Sequence, residues 1–191
     1  CRRGDLAAAD VALARARALR SAQVGDGRWS LLDYLPAIEA EIACSRGDDA
    51  RAQRCADEAI ALAGPIDGHF AEAIAWRAKA IAALRSGADP QDAQACIDRA
   101  LHWHRHGGAR AELAYTTLLW AHVLHRTGHV QQARRWRDEA RSLAERHGFD
   151  LRCCEHGAAA VLSLTEPEPV PVPLPQPTTR PEIVAQRTPS A

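Results

Sequence analysis

Residues 80–100 read AIAALRSGADPQDAQACIDRA, and this stretch decides the fold. Small and apolar residues recur at three- and four-residue spacing on both sides of a break at Ser86-Gly87, the spacing of one helix face. Asp89 followed by Pro90 is the signature of an N-cap and a first helical residue, and Asp92 adds negative charge to the first turn. One helix therefore ends, the chain turns at Gly87, and a second helix starts. Ala80, Ala93 and Ala100 lie where two antiparallel helices would cross, and only small side chains let helix axes approach closely there.

The same pattern returns along the chain. Gly4, Gly47, Gly87 and Gly128 are separated by 43, 40 and 41 residues, a period expected of stacked repeats. Ala40, Ala80 and Ala121 stand seven residues before the last three glycines. Ala9, Ala52 and Ala133 stand five after Gly4, Gly47 and Gly128, with Ala16, Ala59 and Ala140 twelve after them. One extra residue after Gly87 gives Ala93 and Ala100, so all eleven slots hold alanine. Three of the turns are acidic, GDL, GDD and GAD, and the fourth reads GHV. Before Gly4 stand only Cys1, Arg2 and Arg3, so the register places the opening of this sequence inside a hairpin whose first helix is cut short.

Extending the reading gives helices over 5–23, 31–45, 49–63, 69–86, 90–106, 110–126, 130–146 and 151–164, an all-α chain. Ser30 and Asp33 offer a capping-box start. Pro36 conflicts with a helix already running from 31, because an interior proline kinks or begins a helix. HGGAR and RHGFD end two further helices on glycine. Leu32, Leu35, Ile38, Trp76, Ile81, Leu84, Leu118, Leu119, Val123 and Leu124 are the candidates to fill the layers between helices. Composition agrees: the chain has 40 alanines among 191 residues, and two residues each of Phe and Tyr leave little for sheets. Beyond Leu164 the segment TEPEPVPVPLPQPTTRPEIVAQRTPSA holds eight of the eleven prolines. That predicts a repeat domain over 1–164 and a disordered, extended tail over 165–191. Its prolines alternate as P-x-P without the P-x-x-P spacing of SH3 ligands, so a spacer is expected.

A small residue in the first helix, glycine at the turn and two alanines in the second helix resemble the tetratricopeptide repeat. The match covers residues 1–148, with Trp76 at a position where that family favours a large aromatic. Two departures are Pro36 at the matching place in the preceding hairpin and a period longer than the family's usual 34 residues. The stretch from His104 to Asp150 is also similar to C-terminal repeat regions of large bacterial signalling proteins: nucleotide cyclases with an ATPase module, kinases, and transcriptional activators with a nucleotide-binding switch. The resemblance implies a right-handed superhelical solenoid of hairpins that binds partners or packs on domains upstream in the same chain, with any chemistry located upstream. High arginine and alanine, with Lys79 as the single lysine and no asparagine, fits a bacterial, GC-rich source.

Catalytic signatures are missing. The sequence contains no phosphate-binding G-x-x-x-x-G-K-[ST] loop, no kinase signature, no G-x-S-x-G and no H-E-x-x-H. His102 and His106 share a helix face with His104 turned away, and His122 and His125 share another with His129 in the next turn. Two ligands per face fall short of a zinc site, so neither metal nor cofactor is expected. Cys153, Cys154 and His156 lack a second cysteine pair nearby in sequence; Cys44, Cys55 and Cys96 read as small buried residues inside helices. Arg134, Arg135, Arg137 and Arg141 around Trp136 suggest phosphate and base contacts, but Asp138 and Glu139 balance them and the net charge is zero. Neither nucleic acid nor a membrane is therefore an expected partner. The expectation is a non-catalytic protein-interaction or scaffolding module in the cytoplasm. Its groove would be lined by Asp33, Glu39, Arg77, Thr117 and His125 on helical phase, receiving a protein or peptide partner, and oligomeric state is left open.

Overall fold

The computed structural model describes residues 5–22, 33–66, 68–126, 128–148 and 150–151. Among them are seven α-helices and no strand: α1 Leu6–Ala22, α2 Tyr34–Arg46, α3 Asp49–Ala63, α4 His69–Arg85, α5 Pro90–His106, α6 Arg110–Arg126 and α7 Val130–His147. A 3-10 turn, Gly64–Ile66, comes directly after α3. The helix expected at 151–164 and the proline-rich tail lie outside the described residues, as do Gly4, Ser30 and Leu32. The second helix begins later than its periodicity suggests. Pro36 sits in its first turn, where a missing N–H removes no intrahelical bond.

The turns agree closely with the sequence. Gly47, Gly87 and Gly128 all adopt left-handed backbone, with φ of 77, 78 and 85°. At each, the residue after the glycine donates its N–H five residues back: Asp48 to Ala43 at 3.0 Å, Ala88 to Ala83 at 3.0 Å, and His129 to Leu124 at 2.8 Å. This closure satisfies carbonyls that the helix end leaves open, and it needs a residue tolerant of positive φ. The acidic turn residues cap the next helix in the chain. Asp5 accepts from the Ala8 N–H at 2.9 Å, Asp48 from Arg51 at 3.1 Å, and Asp89 from Gln91 at 2.8 Å. His129, which replaces the aspartate in the fourth turn, makes no such side-chain cap.

Each helix packs on the next in the chain, and α2 packs on α4 as well. The even- and odd-numbered helices differ in character. Helix α4 is buried without a break from Ala73 to Ala78, and α6 from Leu113 to Ala121. Helices α3, α5 and α7 each bury one stripe, such as Ala52, Ala56, Ala59 and Ala63 on α3, and give the other side to solvent. A helix apolar around its circumference must be covered on all sides, whereas an amphipathic one needs cover on one. Nine of the eleven register alanines are at most 1% exposed; the two that are half-open, Ala9 and Ala16, are both on α1. Around them Trp76, Ile81, Leu118, Leu119, Val123 and Leu124 are buried, each large side chain contributing roughly 2 kcal/mol of transfer free energy. Helix α1 rests on α2, with Leu13 as its one buried side chain among those described and two ion pairs across the contact, Arg17 with Glu39 and Asp10 with Arg46.

Candidate partner-binding surface

Placement of the five expected groove residues corrects the reading from phase alone. Asp33, Arg77 and Thr117 are buried, so their side chains face the interior and are not offered to a partner. Thr117 donates its hydroxyl to the Leu113 carbonyl at 2.7 Å, within its own helix. Asp33 sits at the N-cap of α2, and its carboxylate lies against Gly68, where an added Cβ would come within 2.1 Å of Oδ2. Glu39 is engaged between helices: Arg17 of α1 donates to it, Arg51 of α3 stands 3.8 Å away, and the Cys55 thiol points at it. His125 alone is exposed. The structure does not gather these residues into one groove.

Arg77 instead ties three helices together. Its guanidinium, 1% exposed, donates to Glu41 of α2 at 2.9 Å and to Glu112 and Thr116 of α6 at 2.8 and 3.0 Å. It also stands over the Tyr115 ring, 4.7 Å from the centroid. Burial alone disfavours the cation, but the two carboxylates outweigh it and hold the pKa above the ordinary arginine value. Arg77 therefore stays charged.

A different surface has the chemistry of an interface. Helices α4 and α5 run as neighbours joined by a short turn, so the start of α4 meets the end of α5. There His69 stacks on Trp103 with centroids 4.1 Å apart and planes 6° from parallel, and His106 meets His69 edge-on at 5.7 Å. His102 stacks on His106 and stands edge-on to Trp103 at 4.8 Å. Alongside, Phe70 is 41% exposed and stacks on Tyr34 of α2 at 5.8 Å. Next to this row lies a hollow of about 430 Å³ lined by Glu72, Asp98, Arg99, His102 and Trp103. Arg99 and Lys79 both stand over the Trp76 ring, at 4.4 and 5.3 Å, and the Trp76 indole N–H donates to Glu72 at 3.0 Å.

The sequence shows HWHRH plainly but hides its partners, His69, Phe70 and Tyr34. The usable signal is the hairpin itself: antiparallel helices of equal length bring GHF, at the head of one, to HWHRH at the tail of the next. His104 is the exception within the run, buried against Phe70.

Among the described residues no group of three His, Cys, Asp or Glu side chains converges on one point. The Cys44 thiol is pushed up to about 12 by burial, and Cys55 and Cys96 are raised for the same reason, so none has the lowered pKa of a nucleophile. On α7, Trp136 packs partly buried against the core, and Arg141 and Arg146 pair with Asp138 and Glu139. Among the described residues no helix is long and apolar enough to cross a membrane. In comparison with known proteins, the chain matches no family model, no curated protein and no solved structure.

Proposed function

We propose that this protein is a protein-interaction module whose helices stack as a right-handed superhelix of hairpins of the tetratricopeptide kind. The stacking is supported by the repeated glycine closures and by alanines buried in register. The functional reading rests on one observation, the row of partly exposed rings formed by Phe70, His69, Trp103, His102 and His106 beside the hollow at Glu72 and Arg99. Aromatic and arginine side chains dominate the energetics of protein interfaces, the rings because they bury large area at low entropic cost and arginine because its planar fork makes several hydrogen bonds at once. The occupant is a protein segment that presents apolar side chains to the rings and a charged group to Glu72, Asp98 or Arg99. In the cytoplasm of a cell the module would recruit or position its partner rather than transform it.

The test uses a displayed peptide library panned on the native protein and counter-selected on a Phe70→Ser/Trp103→Ser variant with unchanged far-ultraviolet circular dichroism. Selected peptides should bind the native protein with Kd at least tenfold lower than the variant. Equal binding to both would place the interaction elsewhere.

A further inference from the structure

The segment PVPVPLP, residues 169–175, is a run of apolar residues bounded by Glu168 and Gln176, with Glu166 one step further back. Alternate prolines fix φ and favour a polyproline helix of three residues per turn. On such a helix Pro169, Val172 and Pro175 share one ridge, Val170 and Pro173 the next, and Pro171 and Leu174 the third. The pattern lacks the single proline ridge of P-x-x-P, yet it leaves no polar side to face water. A preformed rod of this kind loses little backbone entropy on binding and suits a surface lined with aromatic rings.

The ring row offers such a surface, matched in length, position and charge. It crosses α2, α4 and α5 at Tyr34, Phe70, His69 and Trp103, and each of these helices lies beside the next. At the usual spacing of neighbouring helices the three span about 20 Å. A polyproline helix over 169–175 is about 22 Å long at ~3.1 Å per residue. Position follows from the connections. The end of α7 lies at the start of α6, which follows the end of α5 after one short turn, so the chain reaches Leu151 at the same end of the stack as Trp103 and His106. Leu151 packs back against the core there. Residues 152–168 reach about 25 Å even if wound as a helix, and α5 stands two helix spacings from α7, about 20 Å. Around Trp103, α5 exposes Arg99, His102, Arg105 and His106 against one exposed carboxylate, Asp98, while Glu72 of α4 accepts from the Trp76 indole. Glu166 and Glu168 bring the complementary sign just ahead of the apolar run.

From this we infer that residues 166–177 dock on the ring row of their own chain. The prolines, valines and Leu174 cover Tyr34, Phe70 and Trp103, and the two glutamates lie toward Arg105 and His106. The segment is a tethered competitor: it shields the row, and a partner must displace it. Tethering gives an effective concentration in the millimolar range, so contacts too weak to hold a free peptide keep the row filled. This rests on the reading of the ring row as the interaction surface and adds how that surface is regulated.

The probe is a fluorescein-labelled peptide of residues 166–177. It is titrated into the native full chain and into a full-length Val170→Ser/Val172→Ser/Leu174→Ser variant whose own segment is disabled. Anisotropy should show saturable binding to the variant, at least tenfold tighter than to the native chain, where the row is already covered. Adding Phe70→Ser/Trp103→Ser to the variant should weaken binding tenfold or more. Phe70→Ser alone, at a side chain 41% exposed, should weaken it at least threefold and serves if the double change loses native circular dichroism. Absence of saturable binding to the variant overturns the inference, as does equal affinity for the native chain or binding indifferent to Phe70. Light scattering that shows a native dimer dissolved by the three serines overturns it in favour of a second copy. Library-selected peptides that bind through Phe70 and Trp103, where the 166–177 peptide does not, would remove this inference and leave the interaction surface standing.

Discussion

Removing the Arg77 side chain is the sharpest test of how this fold is held together. The guanidinium meets Glu41 at 2.9 Å and Glu112 at 2.8 Å. At an effective dielectric of about 20 each pair is worth roughly 6 kcal/mol of gross Coulomb attraction. Most of that offsets the cost of taking three ionised groups out of water, so the net gain from the intact network is small. Truncation is asymmetric. In Arg77→Ala the attraction vanishes while both carboxylates stay largely covered, with side chains only 13% and 15% exposed, and the methylene stem leaves a void. Breaking a fully buried pair costs about 3–5 kcal/mol; the residual exposure of both glutamates puts the expected loss near the low end, about 3 kcal/mol. For a domain this size that is a fall in Tm of roughly 6–12 °C. Urea unfolding monitored by helical circular dichroism reads it directly. The m-value should fall as well, because Arg77 links α2, α4 and α6 and its loss lets them unfold separately. An Arg77→Met/Glu41→Gln/Glu112→Gln variant should recover most of the stability. A loss below about 1 kcal/mol in Arg77→Ala, or a triple variant weaker than the single one, would refute this account.

Two further outcomes are expected from the same packing. Gly68→Ala places a Cβ 2.1 Å from the Asp33 carboxylate and 3.2 Å from the Ala63 Cα, so it should lose about 1–3 kcal/mol in thermal melts. Adding Asp33→Ala should restore only part of this, since the Ala63 backbone cannot swing aside; full recovery would mean the crowding is all carboxylate. The Cys44 thiol, pushed up to about 12 from an ordinary 9.0, contributes stability that is complete below pH 9 and is lost as pH rises toward 12. Between about pH 8.5 and 10.5 the native protein should therefore lose on the order of 2 kcal/mol more than Cys44→Ala, read from urea midpoints, and parallel losses would exonerate the buried thiol.

Legibility in the sequence tracked the range of each interaction. Helix ends and turns were readable because their causes are local: positive φ at Gly47 and Gly87, and an aspartate within three residues of the N–H it caps. The alanine register was readable because close helix crossing restricts residue size whatever the neighbour. Arg77 was misread because its partners lie 36 residues before it and 35 after, on other helices. A charge inside AEAIAWRAKAIAAL, a segment apolar on nearly every side, was itself a sign of buried pairing. Phase failed for Asp33 and Thr117 because α2 and α6 lack a polar face that points to solvent. A helix without amphipathicity carries no information about which way is out. The ring row escaped because it is assembled from three helices, only one of which bears a conspicuous motif.

Arrays of repeats grow and shrink by whole units, and a uniform array loses an internal unit with little harm. The array proposed for this chain is not uniform at its middle. On that stacking, excising the unit of α4 and α5 would splice α2 beside α6, put Leu118 at the register place of Arg77, and leave both Glu41 and Glu112 without the cation they share. Two carboxylates stripped of their cation in a largely covered seam would resist the join. The central hairpin therefore acts as a keyed spacer: the order of the units is written into the charge sequence acid, base, acid, and a shortened array would need a second substitution before it could close.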